Sequence, residues 1–195
     1  MNKFLDLLKK NYDPILKPTI VLLAICIVIS FALSLTNKIT APKIEVLSEK
    51  QQQASMKQLV KADDFKERSF EDEFTYFEAK KADETVGYVF LNEAKGYGSA
   101  VSVMTAVAPD GKIIAARVLD ASGETPGLGQ NATKENFYGQ FTGKTKEISV
   151  VKFGAKDQEV NAVTGATITS KAVTKAVNEA LEQFEKVQGE VNADE

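Results

Sequence analysis

The chain has 195 residues, with 24 Lys and Arg against 27 Asp and Glu, one cysteine, and neither histidine nor tryptophan. That length suits one domain, or one domain with an appendage. With no imidazole and a single thiol, the usual zinc, copper and haem sites are excluded, as are the Ser-His-Asp and Cys-His nucleophile systems. A net charge of −3 and no basic block interleaved with aromatics argue against nucleic acid as a partner. Redox chemistry in such a chain would have to be carried by an organic cofactor.

Residues 18–37 carry no charge between Lys17 and Lys38. At about 1.5 Å per residue they match a hydrocarbon core of about 30 Å, and they are apolar on every face. This pattern predicts a single transmembrane helix. A cleaved leader fits less well, because the apolar run is too long and Leu33-Ser34-Leu35-Thr36-Asn37 lacks a small-residue cleavage site. Cys26, in the middle of the run, reads as a small apolar filler. Lys3, Lys9, Lys10 and Lys17 precede the span, while Lys38, Lys43 and Lys50 follow it. The lysine excess predicts a cytoplasmic N-terminal segment, 1–17, with the bulk of the chain on the extracytoplasmic side of the cell membrane.

Residues 38–61 are rich in Gln, Glu, Lys and Ala, with a patchy apolar face that predicts a helical stalk. The charged stretch 63–73 reads as a solvated connection. Within a domain at 62–188, period-two alternation predicts strands at 86–91, 100–107, 112–119 and 148–153, with flexible backbone at 95–98. Pro109-Asp110-Gly111 joins the second and third as a tight hairpin. Val173, Ala176, Val177, Ala180, Leu181, Phe184 and Val187 lie at helical spacing and predict an amphipathic helix over 171–187. Residues 189–195 read as a flexible acidic tail. Antiparallel strands packed by helices make an α+β domain.

Two glycine-bearing loops stand out. Glu124-Thr125-Pro126-Gly127-Leu128-Gly129 favours a type II turn, because glycine supplies the positive φ needed at its third position. Such a turn brings backbone N–H groups near a planar ligand, with Leu128 as an apolar contact; an ordinary surface turn explains the same residues. The second loop, Asn161 to Ser170, has hydroxyls at Thr164, Thr167, Thr169 and Ser170 immediately before the amphipathic helix. Thr169 or Ser170 suits the N-cap. The free N–H groups of the helix start favour a phosphate, although a plain capped helix with polar decoration accounts for the residues as well. Neither the P-loop nor the Gly-x-Gly-x-x-Gly fingerprint is present.

In these two loops the sequence resembles the G-type subunit of the Rnf electron-transport complex, a ferredoxin:NAD oxidoreductase, and the related C-type subunit of the sodium-pumping NADH:quinone reductase. The anchor, Gly96-Tyr97-Gly98, the hairpin, Glu124 to Gly129, and Thr164 to Ser170 occur in that family's order. The resemblance implies FMN joined through its phosphate to a threonine hydroxyl, here Thr167, by a flavin transferase that uses FAD. It implies further cofactor contacts from Thr164, Gly165, Ala166, Thr169, Glu124, Thr125, Gly127 and Leu128. Asn161 stands where that family usually has Asp, keeping the size and an oxygen acceptor but losing the charge.

The implied function is that of an electron-carrying subunit in a membrane complex coupling ferredoxin and NAD to ion translocation. It is expected to have no catalytic residues of its own, with membrane lipid, other subunits and the transferase as partners. A span without an embedded charge offers no ion path, and no iron–sulfur cysteine set or dinucleotide fingerprint is present. The alternatives are an FMN subunit of a related NADH:quinone or extracellular electron-transfer system, and an anchored binding module that never receives flavin.

Overall fold

The computed structural model describes residues 2–82, 84–145 and 147–191. The chain divides into two compact units, 1–51 and 52–195. Helix α1, Asn2–Leu59, contains the apolar stretch Leu16–Ile44, whose side chains are exposed all round. That stretch includes the predicted span. The predicted stalk continues in the same helix, which ends at Leu59.

The second unit is built on a five-stranded sheet in the order β1-β2-β3-β4-β5, every neighbouring pair antiparallel. The strands are β1 Asp64–Phe70, β2 Phe74–Lys81, β3 Glu84–Lys95, β4 Ala100–Val107 and β5 Ile113–Asp120. The predicted β4–β5 hairpin is present, with Gly111 at φ +82° in its turn. The charged connection predicted over 63–73 is instead β1 and the turn into β2. β1 is an outer strand with mostly exposed side chains, and charge on such an edge discourages pairing with another chain. The Phe70 and Phe74 rings close the hairpin by stacking at 5.0 Å.

Alternation along the central strands sends side chains to two cores. Tyr88, Phe90, Val101, Val103 and Val118 pack with helix α3, Thr167–Val191, through Val173, Val177, Leu181 and Phe184. On the other face Val89, Met104 and Ala106 meet Met56, Leu59 and Val60 from the end of α1 and just beyond it. All seven residues of the predicted apolar helical face are buried. Helix α3 starts four residues before the predicted 171 and ends at Val191; residues 192–195 of the predicted tail lie outside the described residues.

The link from β5 to α3 holds two 3₁₀ turns and the single-turn α2, Glu135–Tyr138. It also holds two short parallel strands, β6 Ser149–Val151 and β7 Glu159–Asn161. The strand predicted over 148–153 thus shrinks to three residues, and Phe153 beyond it is 81% exposed.

Candidate functional site

The two loops singled out in the sequence come together, and each is built on the same kind of turn. In the first, the Leu128 N–H donates to the Thr125 carbonyl at 3.1 Å, with Gly127 at φ +75°. In the second, the Ala166 N–H donates to the Val163 carbonyl at 2.9 Å, with Gly165 at φ +75°. Glycine at the third position carries the left-handed conformation that a type II turn requires. The turns approach so closely that a Cβ on Gly165 would lie 3.0 Å from Leu128 Cδ2.

Between them lies a cleft of about 470 Å³, within the range of small-molecule sites. Its walls come from Tyr97, Glu124, Thr125, Leu128 and Gly129 on one side and 165–169 on the other. Of the predicted site residues, the cleft therefore gathers Gly165, Ala166, Thr167, Thr169, Glu124, Thr125 and Leu128. Gly127 shapes the turn but does not line the cleft. Thr164 faces a different hollow of about 590 Å³, together with Asn131, Lys134, Gln140 and Asn161. Tyr97 and Ile168, which sequence reasoning did not single out as contacts, add exposed apolar surface to the cleft.

The four hydroxyls before α3 have different fates. Thr169 and Ser170 are buried and already bonded: Thr169 donates to Glu124 Oε2, and Ser170 donates to the Ala166 carbonyl at 2.9 Å. Ser170 Oγ also accepts the Val163 N–H at 2.9 Å. Neither residue is the predicted N-cap. Both lie in the first turn of a helix that begins at Thr167, and Ser170 holds the preceding loop from inside that turn. Thr167 is exposed, and its hydroxyl has no hydrogen-bond partner among the described residues. It is thus the one free hydroxyl that this loop offers to the cleft.

Glu124 is the cleft's buried ionisable group, 2% exposed. Its Oε1 accepts the Gly98 N–H at 2.9 Å and the Ser99 N–H at 3.4 Å. Burial raises the carboxyl's pKa. The Thr169 hydroxyl and the amides of Gly98, Ser99 and Tyr97 outweigh burial and hold it below the usual carboxylate value. Far from being loose, the predicted flexible segment 95–98 is tied down by these bonds and by the Gly96 N–H donating to the Ser99 carbonyl at 2.8 Å.

Asn161 sits outside the cleft. Its Oδ1 accepts the Ala155 N–H at 3.1 Å, and its Nδ2 donates to Gln140 Oε1 at 3.2 Å.

Residues 96–182, which include both loops, match the model of the FMN-binding domain family. The chain is 49% identical over 109 residues to the G-type subunit of the proton-translocating ferredoxin:NAD(+) oxidoreductase complex of Clostridium ljungdahlii, a match covering 55% of this chain and 58% of that protein. To the G-type subunit of the Na(+)-translocating ferredoxin:NAD(+) oxidoreductase complex of Acetobacterium woodii it is 33% identical, over 91% of this chain and 95% of that protein. The chain belongs to this G-type subunit family. The crystal structure of Shewanella oneidensis NqrC superposes with a TM-score of 0.56 at 27% identity, over 62% of this chain and 61% of that one. The G-type fold described here is accordingly α+β, and its N-terminal apolar helix makes it membrane-anchored.

Proposed function

We propose that this G-type subunit carries electrons through FMN esterified to Thr167, within a membrane complex that couples ferredoxin and NAD(+) chemistry to ion translocation. Thr167 is the observation that carries the covalent part. It supplies an exposed, unbonded hydroxyl at the first residue of a 25-residue helix, on the wall of an apolar-lined cleft. The amides of Thr167, Ile168 and Thr169 have no protein acceptor among the described residues, so the helix start suits an esterified phosphate. Leu128, Ile168 and Tyr97 would hold the ring system, with Thr125 as a polar neighbour.

Bound FMN supplies one-electron redox chemistry, and the protein contributes its position and electrostatic surroundings. In the attachment step, Thr167 Oγ loses its proton and gains a bond to the flavin-side phosphorus as the FAD pyrophosphate breaks and AMP leaves. A flavin transferase would be the partner for that step. Ferredoxin, NAD(+) and the ion path belong to other subunits. The lysine excess before the span supports an inward N-terminus and an FMN domain on the extracytoplasmic side. A reporter fused after Glu195 that is active only in the cytoplasm would contradict this orientation.

The likeness to NqrC supports a second reading, the corresponding FMN subunit of an NADH:quinone reductase. The subunits that co-purify with the chain separate the two. The flavin itself is tested by co-expression with an active transferase and fluorescence of the denatured band. Fluorescence in the parent that vanishes in Thr167→Val is the expected result. A dark parent band beside a fluorescent control flavoprotein would leave an anchored module without flavin.

A further inference from the structure

One side chain joins every segment that walls the cleft. Glu124 accepts hydrogen bonds from the 98–99 backbone through Oε1 and from Thr169, in the first turn of α3, through Oε2. Its own position opens the 124–129 loop. These three segments supply Tyr97, Thr125, Leu128, Thr167 and Ile168 to the cleft. The packing around the carboxylate leaves no slack: a Cβ on Gly96 would lie 2.5 Å from Oε1, and one on Gly129 would lie 2.7 Å from Oε2.

The hydrogen bonds the carboxylate accepts come from neutral donors, and among the described residues no lysine or arginine pairs with Glu124. A buried charge held by neutral donors keeps its field, because no counter-ion cancels it and little water screens it. With both oxygens already taken by protein donors, Glu124 acts on a cleft ligand through the walls it holds and through its charge.

We propose that Glu124 is a positioning residue with two separable effects: it clasps the three segments that form the cleft, and it places an uncompensated negative charge beside the flavin. This rests on the FMN reading above. Reduction adds negative charge to the cofactor, which a fixed carboxylate opposes, so the flavin's reduction potential is held below its value in a neutral-walled cleft.

Gln and Ala divide the two effects. Glu124→Gln keeps the shape and still hydrogen-bonds, because Oε1 accepts from Gly98 while the new amide donates to Thr169 Oγ1. Glu124→Ala removes both clasp and charge. The experiment uses the full-length chain in detergent and has two readouts. Redox titration is done on protein flavinylated by a co-expressed transferase. Hydrogen exchange at the Gly98 and Ser99 amides is followed in a flavin-free Thr167→Val background.

The expected results are a more positive potential in Glu124→Gln with near-parental amide protection, and a loss of protection of roughly tenfold or more in Glu124→Ala. An unchanged potential in Glu124→Gln overturns the charge effect. Parental protection in Glu124→Ala overturns the clasp. Should the Ala variant fail to fold, Thr169→Val removes one donor alone, and protection equal to the parent's would overturn the clasp there too. A parent without covalent flavin would sink the functional reading instead, and the exchange measurements would still decide the clasp.

Discussion

The two glycine turns that meet across the cleft share a backbone and differ in what flanks them. Both close with an i to i+3 hydrogen bond and carry glycine at φ +75°. The first is preceded by a buried carboxylate and followed by Leu128; the second is followed within two residues by a helix start bearing a free hydroxyl. Turn geometry alone therefore specifies no cofactor. One turn borders apolar wall and fixed charge, while the other borders a free hydroxyl and unpaired amides, and the proposed FMN site draws on both.

The comparison breaks most sharply at the hydroxyls. Thr125 and Thr167 face the same cleft from opposite turns. Thr167→Val is expected to abolish covalent flavin, whereas Thr125→Val and Thr164→Val should retain it, read as fluorescence per denatured band. Retention in Thr167→Val would place the attachment on another residue and remove the distinction between the two turns.

The next largest effect belongs to the carboxylate between the turns. Glu124→Ala strands buried donors and should cost about 2–3 kcal/mol in chemical denaturation. Because the folded-state pKa of Glu124 is lowered, its stabilisation is present above the unfolded value and is lost as pH falls through the folded one. The ordinary value for such a carboxyl is 4.5, so the loss lies on the acid side of that pH. Glu124→Gln should flatten the acid limb of stability against pH, and an unchanged limb would mean that the charge does not contribute.

The glycines sharpen the comparison further. Alanine at either position is strained by the positive φ, by about 1 kcal/mol. At Gly127 its Cβ meets nothing within 4 Å, while at Gly165 it crowds Leu128. Gly165→Ala should therefore cost about 2 kcal/mol and Gly127→Ala about 1, measured by thermal unfolding. The smallest effect is expected at Asn161. Asp there keeps the acceptor for Ala155 but loses the donor to Gln140 Oε1, which stays bonded to the Asn161 N–H at 2.8 Å. Stability should fall by less than about 1 kcal/mol. If the missing acid limits transferase recognition, the initial rate of flavin attachment should rise.

Much of this was legible in the sequence because it is local. The apolar run, the β4–β5 hairpin, the buried stripe of α3 and both turns announce themselves within a few residues. β1 was hidden because an edge strand can be charged on most of its positions, as Lys66, Glu67 and Arg68 are. β6 and β7 are too short to show a period. The start of α3 was misjudged because the Ser170 hydroxyl accepts the Val163 amide from inside the helix rather than capping it from outside. Glu124 appeared as a cofactor contact, yet its partners lie 25, 26 and 45 residues away. Neither spacing nor periodicity signals a clasp of that range.

The most direct test of the central claim is a fragment mass map of the flavinylated chain after trypsin. Cleavage after Lys156 and Lys171 releases one peptide, 157–171, that contains Thr164, Thr167, Thr169 and Ser170 together. The account predicts that the added mass of FMN less water falls on Thr167 alone. The same mass on Thr164, Thr169 or Ser170, or an unmodified peptide from protein made with an active transferase, would contradict it.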